Sequence, residues 1–264
     1  MTHDKASTEV REILDFATEL ARQAGAITLR HFGGLVDSEA KGDGSPVTIA
    51  DRTAEELLRR RIERRYPAHS ILGEEYGESN PDARVRWILD PIDATRSFMH
   101  GVPLFGVLIG VEVDGQAAVG VAHFPALAET VAAGRALGCT WNGRRCHVSK
   151  VRRIEDAVVL TTDVERILSR QREGPGWRSL QRRAAFSRTW GDCYGHALVA
   201  TGRAEIMVDP IQASWDGGPF LTILSEAGGR FTTLDGRAVL HGGSGVSTNG
   251  VLHDEVLREL AGEE

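Results

Sequence analysis

The chain has no long run of charges of one sign, although 37 acidic residues outnumber 31 Lys and Arg and give a net charge of −6. We therefore expect no basic surface for nucleic acid or for an anionic membrane. The longest apolar stretch, residues 102–113, is broken by Pro103 and Glu112 and is too short to span a bilayer. The first ten residues contain no apolar core, so no secretory signal peptide is predicted.

Cysteine is also scarce, with three residues in the chain, Cys139, Cys146 and Cys193. An odd number without tight spacing predicts reduced thiols that pack in the interior, and a cytoplasmic protein. The nine histidines form no H-E-x-x-H pattern, which disfavours zinc. No P-loop motif is present either.

What the chain does contain is the composition of a globular protein with a core, at 41% hydrophobic and 26% charged residues. Apolar residues at helical spacing predict a first helix over residues 10–27, and two hairpin turns are predicted at Asp114-Gly115 and Asn142-Gly143. Strands and helices alternate from about residue 156. We predict a mixed α+β and α/β protein with an N-terminal lobe over 1–150 and a C-terminal lobe over 151–264.

The segment WILDPIDATRSF ends a predicted buried strand with two acids, Asp90 and Asp93, around Pro91. Two carboxylates about 4 Å apart repel by roughly 4 kcal/mol at an effective dielectric constant of about 20. Either a proton or a cation must relieve that repulsion, and hard divalent cations prefer carboxylate and carbonyl oxygens, including that of Ile92. The alternative is that both acids only start a turn and cap a helix.

Three more acids follow short apolar runs or begin a predicted helix: Asp51, Glu74 and Asp216. A solvated surface position is the alternative for Glu74, and a helix N-cap is the alternative for Asp51 and Asp216. The acids can act together only if the fold brings them to one place.

Four segments, SPVTIAD, GEEYG, DPIDATRSF and WDGGP followed by EAGG, resemble in order the motifs of the inositol monophosphatase family of magnesium-dependent phosphatases. PLFGVLIG and GDCYGHALVATGRAEIMVDP are most similar to the histidinol-phosphate phosphatase branch of that family. The resemblance covers nearly the whole chain. It implies a layered αβαβα sugar-phosphatase fold and a homodimer.

The resemblance also implies a set of magnesium ligands: Glu74, Asp90, Asp93 and the carbonyl group of Ile92. Asp216 would join Asp90 and Asp93 around a second ion. Two or three Mg²⁺ ions are implied in total, and Mn²⁺ is expected to substitute for them.

The catalytic residues implied by the resemblance are Glu74 and a hydrogen-bonded pair of Thr95 and Asp51, which orients and helps to deprotonate the attacking water. Backbone N–H groups at Ala94 and Thr95 would bind the phosphate. The family usually has glycine at the position of Ala94, and Ala-Ala where this chain has Gly217-Gly218. If the Ala94 position requires a positive φ, the alanine is strained.

Histidinol phosphate has an ammonium group and an imidazole at the end away from its phosphate, so carboxylates in the pocket wall would suit it. The resemblance implies Asp192 and Asp209 for this role. The alternatives are a helix cap for Asp192 and a turn at Asp209-Pro210. Arg188 is expected either to orient one of the acids or to face water.

Three functions remain open at this point. The first is a magnesium-dependent phosphatase acting on histidinol phosphate. The second is an inositol-1-monophosphatase or broad-specificity sugar phosphatase of the same family. The third is a catalytically inactive regulatory scaffold, which Ala94 and Gly217-Gly218 favour and the retained acids disfavour.

Overall fold

The computed structural model describes residues 2–34, 38–40, 46–240 and 242–262. The glycine-rich stretch at residues 41–45, directly before the strand in the SPVTIAD segment, lies outside the described residues. The helices are α1 (Thr2–Thr28), α2 (Ile49–Arg65), α3 (Thr95–Met99), α4 (Val164–Ser169), α5 (Glu173–Arg183), α6 (Asp192–Ala200), α7 (Ser214–Ala227) and α8 (His253–Ala261). The strands are β1 (Ser38–Ala40), β2 (Pro46–Thr48), β3 (Ser70–Gly73), β4 (Gly77–Ser79), β5 (Val85–Asp93), β6 (Gly106–Val113), β7 (Gln116–Phe124), β8 (Glu129–Gly134), β9 (Gly138–Trp141), β10 (Arg144–Arg145), β11 (Val158–Thr161), β12 (Phe186–Arg188), β13 (Ile206–Gln212), β14 (Arg230–Thr232) and β15 (Gly243–Thr248).

An eight-stranded sheet runs in the order β10-β9-β8-β7-β6-β5-β3-β4. Its pairs are antiparallel, as predicted, except that β3 runs parallel to β5. Both hairpin turns are confirmed, because Asp114-Gly115 and Asn142-Gly143 each have positive φ at both residues and join adjacent strands. The first helix is longer than its apolar pattern, since it already begins at Thr2.

A five-stranded sheet in the order β12-β11-β13-β15-β14 forms the second half. Strand β11 is parallel to both of its neighbours, whereas β15 is antiparallel to β13 and β14. This mixed pattern agrees with the alternation of strands and helices predicted from residue 156 onward.

The layered αβαβα fold is confirmed by three buried clusters of apolar side chains. One cluster joins α1 and α2 to the eight-stranded sheet. A second lies between the two sheets and includes the apolar faces of α6 and α7. The third packs α5 and α8 on the outer face of the five-stranded sheet. The chain therefore stacks helices, sheet, helices, sheet and helices.

Helix α7 lies unusually close to the eight-stranded sheet, where Gly110 and Gly120 leave room for it. A Cβ atom at Gly120 would lie 2.1 Å from the carbonyl oxygen of Pro219, and one at Gly110 would lie 2.8 Å from the carbonyl carbon of Gly218. Because real side chains cannot approach backbone so closely, glycine at these positions fixes the distance between sheet and helix. The start of α7, which carries Asp216, is positioned by this contact.

The eight-stranded sheet lies within residues 70–145 and the five-stranded sheet within residues 158–248. Helix α7 packs against strands of both sheets, so a single apolar cluster is shared by the two halves. The division into lobes at residue 150 stays a prediction.

Of the helices in the described part of the chain, none has both the length and the hydropathy needed to cross a bilayer. The three cysteines are free and buried, as expected from their number. The sulfur atoms of Cys139 and Cys146 lie 3.5 Å apart across the base of the β9–β10 hairpin.

Candidate metal centre

A β-bulge at the end of β5 brings Asp90 and Asp93 to the same side of the sheet. Residues three apart in a regular strand point to opposite faces. Here Asp90 pairs with Leu108 and Asp93 with Gly106, so one extra residue is inserted in β5. The Oδ1 atom of Asp90 accepts a hydrogen bond from the N–H of Ile92 at 3.0 Å, which closes the local turn. The bulge therefore converts the DPID spacing into a pair of neighbouring carboxylates.

Asp216 joins this pair from the first turn of α7. Its Oδ2 atom accepts the N–H of Ala213 at 2.7 Å, so it caps the helix from the third helical position rather than from the N-cap itself. Carboxylate oxygens of Asp90, Asp93 and Asp216 all lie within 4.8 Å of one another. Asp216 therefore does cap α7, as one interpretation of the sequence predicted, but with one carboxylate oxygen only. Its other oxygen is available to the cluster of acids.

Glu74 follows β3 and lies beside Asp90. Its backbone N–H donates to the carbonyl oxygen of Leu89 at 3.2 Å, directly before Asp90. Burial raises the pKa of Asp90 well above its ordinary value, and the charges of Glu74, Asp93 and Asp216 raise it further. Glu74 therefore acts electrostatically on the same group of acids that the sequence singled out.

The other acids of the centre are also difficult to ionise. Burial raises the pKa of Asp93 well above its ordinary value, and Asp192 and Asp216 add to the effect. Burial raises the pKa of Asp216 to about 7, although the N–H of Ala213 lowers it. Buried carboxylates that repel one another need a proton or a cation, and their oxygen atoms are the donors that Mg²⁺ prefers. The donor set therefore fits a hard divalent cation.

Asp51 and Thr95, the predicted water-orienting pair, have other partners in this structure. Asp51 is the third residue of α2, and its Oδ2 atom accepts the N–H and the hydroxyl group of the N-cap residue Thr48 at 2.7 and 2.6 Å. The hydroxyl group of Thr95 donates to the carbonyl oxygen of Ile92 at 3.0 Å. The predicted bond between Asp51 and Thr95 is thus not formed among the described residues.

The helix-capping role of Asp51 leaves one of its oxygens unused. Asp51 is 1% exposed, and its Oδ1 atom has no hydrogen-bond partner in the described part of the chain. Burial raises the pKa of Asp51 to about 6, with a contribution from the charge of Glu74. A buried carboxylate oxygen without a partner is costly, so this atom is suited to accept a hydrogen bond from a bound molecule.

Ala94 has the left-handed conformation, with φ of 66° and ψ of 47°, at the N-cap of α3. The position therefore does require the positive φ that glycine adopts most easily, and the alanine is strained by about 1 kcal/mol. The turn lies between the end of β5 and the start of α3, where the first N–H groups of a helix have no partner within the helix.

The glycines at 217 and 218, the other departure from the family pattern, lie inside the regular helix α7. A Cβ atom at Gly217 would lie 3.1 Å from Oε1 of Gln212, and one at Gly218 would lie 3.2 Å from Cγ2 of Ile88. Larger residues at either position would require small shifts of these neighbours.

Asp192 and Asp209 face the acidic centre and are linked by Thr162. The hydroxyl group of Thr162 accepts the N–H of Asp192 at 2.8 Å and donates to Oδ2 of Asp209 at 3.4 Å. Burial raises the pKa of Asp192 to about 6. Burial, together with the charges of Asp192 and Asp216, raises the pKa of Asp209 well above its ordinary value.

Asp192 was alternatively predicted to be the N-cap of a helix. The N-cap of α6 is instead Gly191, and Asp192 is the first helical residue. Asp209 does begin a turn, since its Oδ1 atom accepts the N–H of Ile211 at 3.3 Å. Strand β13 is also bulged between Asp209 and Gln212, as β5 is after Asp90. The two Asp-Pro-Ile segments thus form the same kind of turn.

Arg188 is not brought to the acidic cluster. It is exposed on β12, where its guanidinium group donates to the carbonyl oxygen of Ser187 at 2.7 Å and lies 5.3 Å from the ring centre of Phe186. The expectation that Arg188 orients a pocket acid is wrong for this structure, and the alternative that it faces water fits.

Cys193 contributes to the centre through its backbone, which the sequence did not indicate. Its N–H, in the first turn of α6, donates to Oδ2 of Asp93 at 2.7 Å across 100 residues of chain. The N-terminus of a helix stabilises a carboxylate, so α6 helps to hold Asp93. The predicted start of a helix at this point was the one feature of the sequence that could have indicated this contact.

Comparisons with known proteins agree with this geometry. A family model described as the inositol monophosphatase family matches residues 9–263. The chain is 42% identical to a histidinol-phosphatase of Chlorobaculum parvum, over 95% of this chain and 97% of that protein. It is 37% identical to a histidinol-phosphatase of Mycobacterium tuberculosis, over 94% and 97%. The solved structure of an IMPase from Thermotoga maritima superposes with a TM-score of 0.86 at 30% identity, over 94% of this chain and 96% of that one.

Replacing Ala94 with glycine tests whether the turn at the acidic centre is strained. We expect Ala94→Gly to raise the free energy of unfolding by about 1 kcal/mol, because glycine adopts φ of 66° without the Cβ clash. Chemical denaturation measures the change.

Two other alanines provide controls for this substitution. Ala136→Gly, at φ of 63° and remote from the centre, should stabilise by a similar amount, whereas Ala238→Gly, whose φ is not positive, should destabilise. If Ala94→Gly lost as much stability as Ala238→Gly, the backbone at Ala94 would not be strained.

Proposed function

The chain belongs to the inositol monophosphatase family, and we propose that it is a magnesium-dependent phosphate monoesterase that hydrolyses histidinol phosphate to histidinol and phosphate. The observation that carries the proposal is the convergence of Asp90, Asp93 and Asp216, whose oxygens lie within 4.8 Å of one another although Asp216 is distant in sequence from the other two. A turn or a helix cap alone would not require three acids at one point.

The residues that would hold Mg²⁺ are Glu74, Asp90, Asp93, Asp216 and the carbonyl group of Ile92. Two or three ions are proposed, and Mn²⁺ is proposed to substitute. When bound, such ions supply positive charge that offsets the phosphate dianion and lowers the pKa of water. The fit rests on the hard oxygen donors and on the raised pKa values of Asp90 and Asp93, which burial and the charges of the neighbouring acids cause.

The protein's own groups would bind the phosphate and the attacking water. The N–H groups at Ala94 and Thr95, at the start of α3, would donate to phosphate oxygens. Asp51 has a buried oxygen without a partner and a pKa of about 6, so it can accept a proton near neutral pH. Thr95 would orient the water through its hydroxyl group after a rotation away from the carbonyl oxygen of Ile92.

A covalent mechanism through the nearest thiol is disfavoured by its surroundings. Cys193 is 2% exposed, and burial together with the charge of Asp93 raises the pKa of its thiol well above the ordinary value. A protonated thiol is a poor nucleophile. Direct attack by water on phosphorus, with release of the alcohol, therefore suits this site better.

Asp192 and Asp209 support a substrate with a cationic end. The charge of Asp192 raises the pKa values of Asp93, Asp209 and Asp216, so Asp192 lies close to all three acids. The ammonium and imidazolium groups of histidinol phosphate can pair with such carboxylates, whereas inositol phosphate offers hydroxyl groups only. This difference is what favours histidinol phosphate over inositol 1-phosphate.

The other partners and the location are proposed on the family resemblance. The protein would act as a cytoplasmic homodimer on a small phosphorylated metabolite, without nucleic acid or membrane. The strained Ala94 gives the inactive-scaffold alternative its support, and the preserved acidic centre argues for an enzyme.

A substrate comparison tests the proposed specificity. We expect kcat/KM for histidinol phosphate to exceed that for inositol 1-phosphate, and Asp192→Asn to raise KM for histidinol phosphate by about tenfold, since a hydrogen bond to a charged group contributes roughly 1.5–3 kcal/mol. The KM for inositol 1-phosphate should change little. Equal effects on both substrates, or no preference in the wild-type protein, would contradict the assignment.

Replacing Asp93 with asparagine tests the metal centre itself. Asp93→Asn should lower the rate of Mg²⁺-dependent phosphate release by more than the roughly 100-fold typical of a lost outer-shell partner. The melting temperature without Mg²⁺ should not fall, because the substitution removes a mutually repelled charge and asparagine can still accept the N–H of Cys193.

Asp114→Asn is a suitable control for this variant, because Asp114 is exposed in a hairpin turn that asparagine adopts equally well. Its activity should match that of the wild-type protein. Near wild-type activity in Asp93→Asn, or activity that persists with EDTA in both proteins, would rule out the proposed role of Asp93.

A further inference from the structure

Glu55, on the second turn of α2, is a buried acid outside the set described so far. Its side chain is 0% exposed, and a buried carboxylate is stable only with hydrogen-bonded or charged partners. One partner is on the same helix, where Nε of Arg59 donates to Oε1 of Glu55 at 2.7 Å. The other partners are on the turn after β3, which carries Glu74.

Glu55 accepts two consecutive backbone N–H groups of that turn. The N–H of Glu75 donates to its Oε2 atom at 2.7 Å, and the N–H of Tyr76 donates to its Oε1 atom at 3.3 Å. The N–H of Glu74, one residue earlier, donates to the carbonyl oxygen of Leu89 on β5. The backbone at Glu74 is thus fixed on one side by β5 and on the other by α2.

Two further contacts show that the turn is built around Glu55. A Cβ atom at Gly73 would lie 2.0 Å from Oε1 of Glu55, so a side chain at position 73 would displace the carboxylate. The guanidinium group of Arg59 also donates to the carbonyl oxygen of Gly77, at the end of the turn. Glu55 and Arg59 together hold the turn along its length.

The same face of α2 also carries Asp51, four residues before Glu55. Residues four apart on a helix lie above one another. One face of α2 therefore supplies Asp51 to the acidic centre and Glu55 to the turn that presents Glu74.

We propose that Glu55, held by Arg59, is a positioning residue that fixes Glu74 in the direction needed to bind a divalent cation. The inference rests on the proposed function, since it concerns the cation affinity of the same centre. Glu55 acts through the backbone of Glu75 and Tyr76 and contacts no substrate. Its loss should weaken cation binding more than it slows turnover once the cation is saturating.

The test is a titration of Mn²⁺ against the full-length protein without substrate, with free Mn²⁺ measured by electron paramagnetic resonance. Glu55→Gln keeps the side-chain length but has one acceptor oxygen for two backbone N–H groups. We expect its Kd for Mn²⁺ to rise about tenfold, the lower end of the effect of residues that orient metal ligands. The Mg²⁺ concentration for half-maximal activity should rise in parallel, with kcat at saturating Mg²⁺ near that of the wild-type protein.

Glu56→Gln is the matched control, because Glu56 is the adjacent glutamate on the same helix and accepts the phenol of Tyr76 rather than the backbone of the turn. Its Kd for Mn²⁺ should equal the wild-type value. Amide hydrogen exchange at Glu75 and Tyr76 should be faster in Glu55→Gln than in Glu56→Gln. If Glu55→Gln does not fold, Arg59→Gln, which keeps the carboxylate but removes its cation, should weaken Mn²⁺ binding in the same direction.

Two outcomes separate this inference from the proposed function. Wild-type protein that binds no Mn²⁺ would overturn the proposed function and the role of Glu55 with it. Wild-type protein that binds Mn²⁺, together with an unchanged Kd in Glu55→Gln and a lowered melting temperature, would show a merely structural role and overturn the inference alone.

Discussion

The repulsion among buried carboxylates is the constraint on which the rest of the site depends. Asp90, Asp93 and Asp216 are held together although burial and the charges of neighbouring acids, among them Glu74 and Asp192, raise their pKa values. A fold maintains such a group only if other contacts hold it in place, because nothing within the group itself is attractive without a proton or a cation. The structure supplies those contacts from four directions: the bulge of β5, the first turn of α7, the N-terminus of α6 and the turn after β3.

The packing of helices on both faces of the eight-stranded sheet sets the positions of the acids in the centre. Helix α7 lies close enough to β6 and β7 that glycine is needed at 110 and 120, and this sets the position of Asp216 relative to β5. Helix α2 packs on the opposite face of the same sheet and reaches the turn of Glu74 through Glu55. The acidic centre thus lies where helices from both faces of the eight-stranded sheet meet the bulged end of β5.

Local patterns in the sequence predicted a mixed α+β and α/β protein and singled out the acids of the centre, and the resemblance to the family implied the layered fold and a shared role for those acids. The Asp-Pro turn, the hairpin dipeptides and the helix-start acids each have a short-range cause. The bulge in β5 was not predictable, because it depends on the register against β6. The conformation of Ala94 was left open, because the sequence does not show the φ of the turn before α3. The predicted bond between Asp51 and Thr95 was not found, because each side chain bonds a group three residues away along the chain, Thr48 and Ile92 respectively. Glu55 was missed because a single glutamate in a charged helix gives no sign that it is buried.

The central claim is that side chains from β5 and α7, with Glu74, form one site for divalent cations. Anomalous X-ray diffraction from a crystal soaked in Mn²⁺ tests it most directly. The account predicts Mn²⁺ bonded to oxygens of Asp90, Asp93 and Asp216, with Glu74 and the carbonyl oxygen of Ile92 completing the coordination. An absence of anomalous signal among these groups, in a crystal where the four carboxylates remain together, would contradict it.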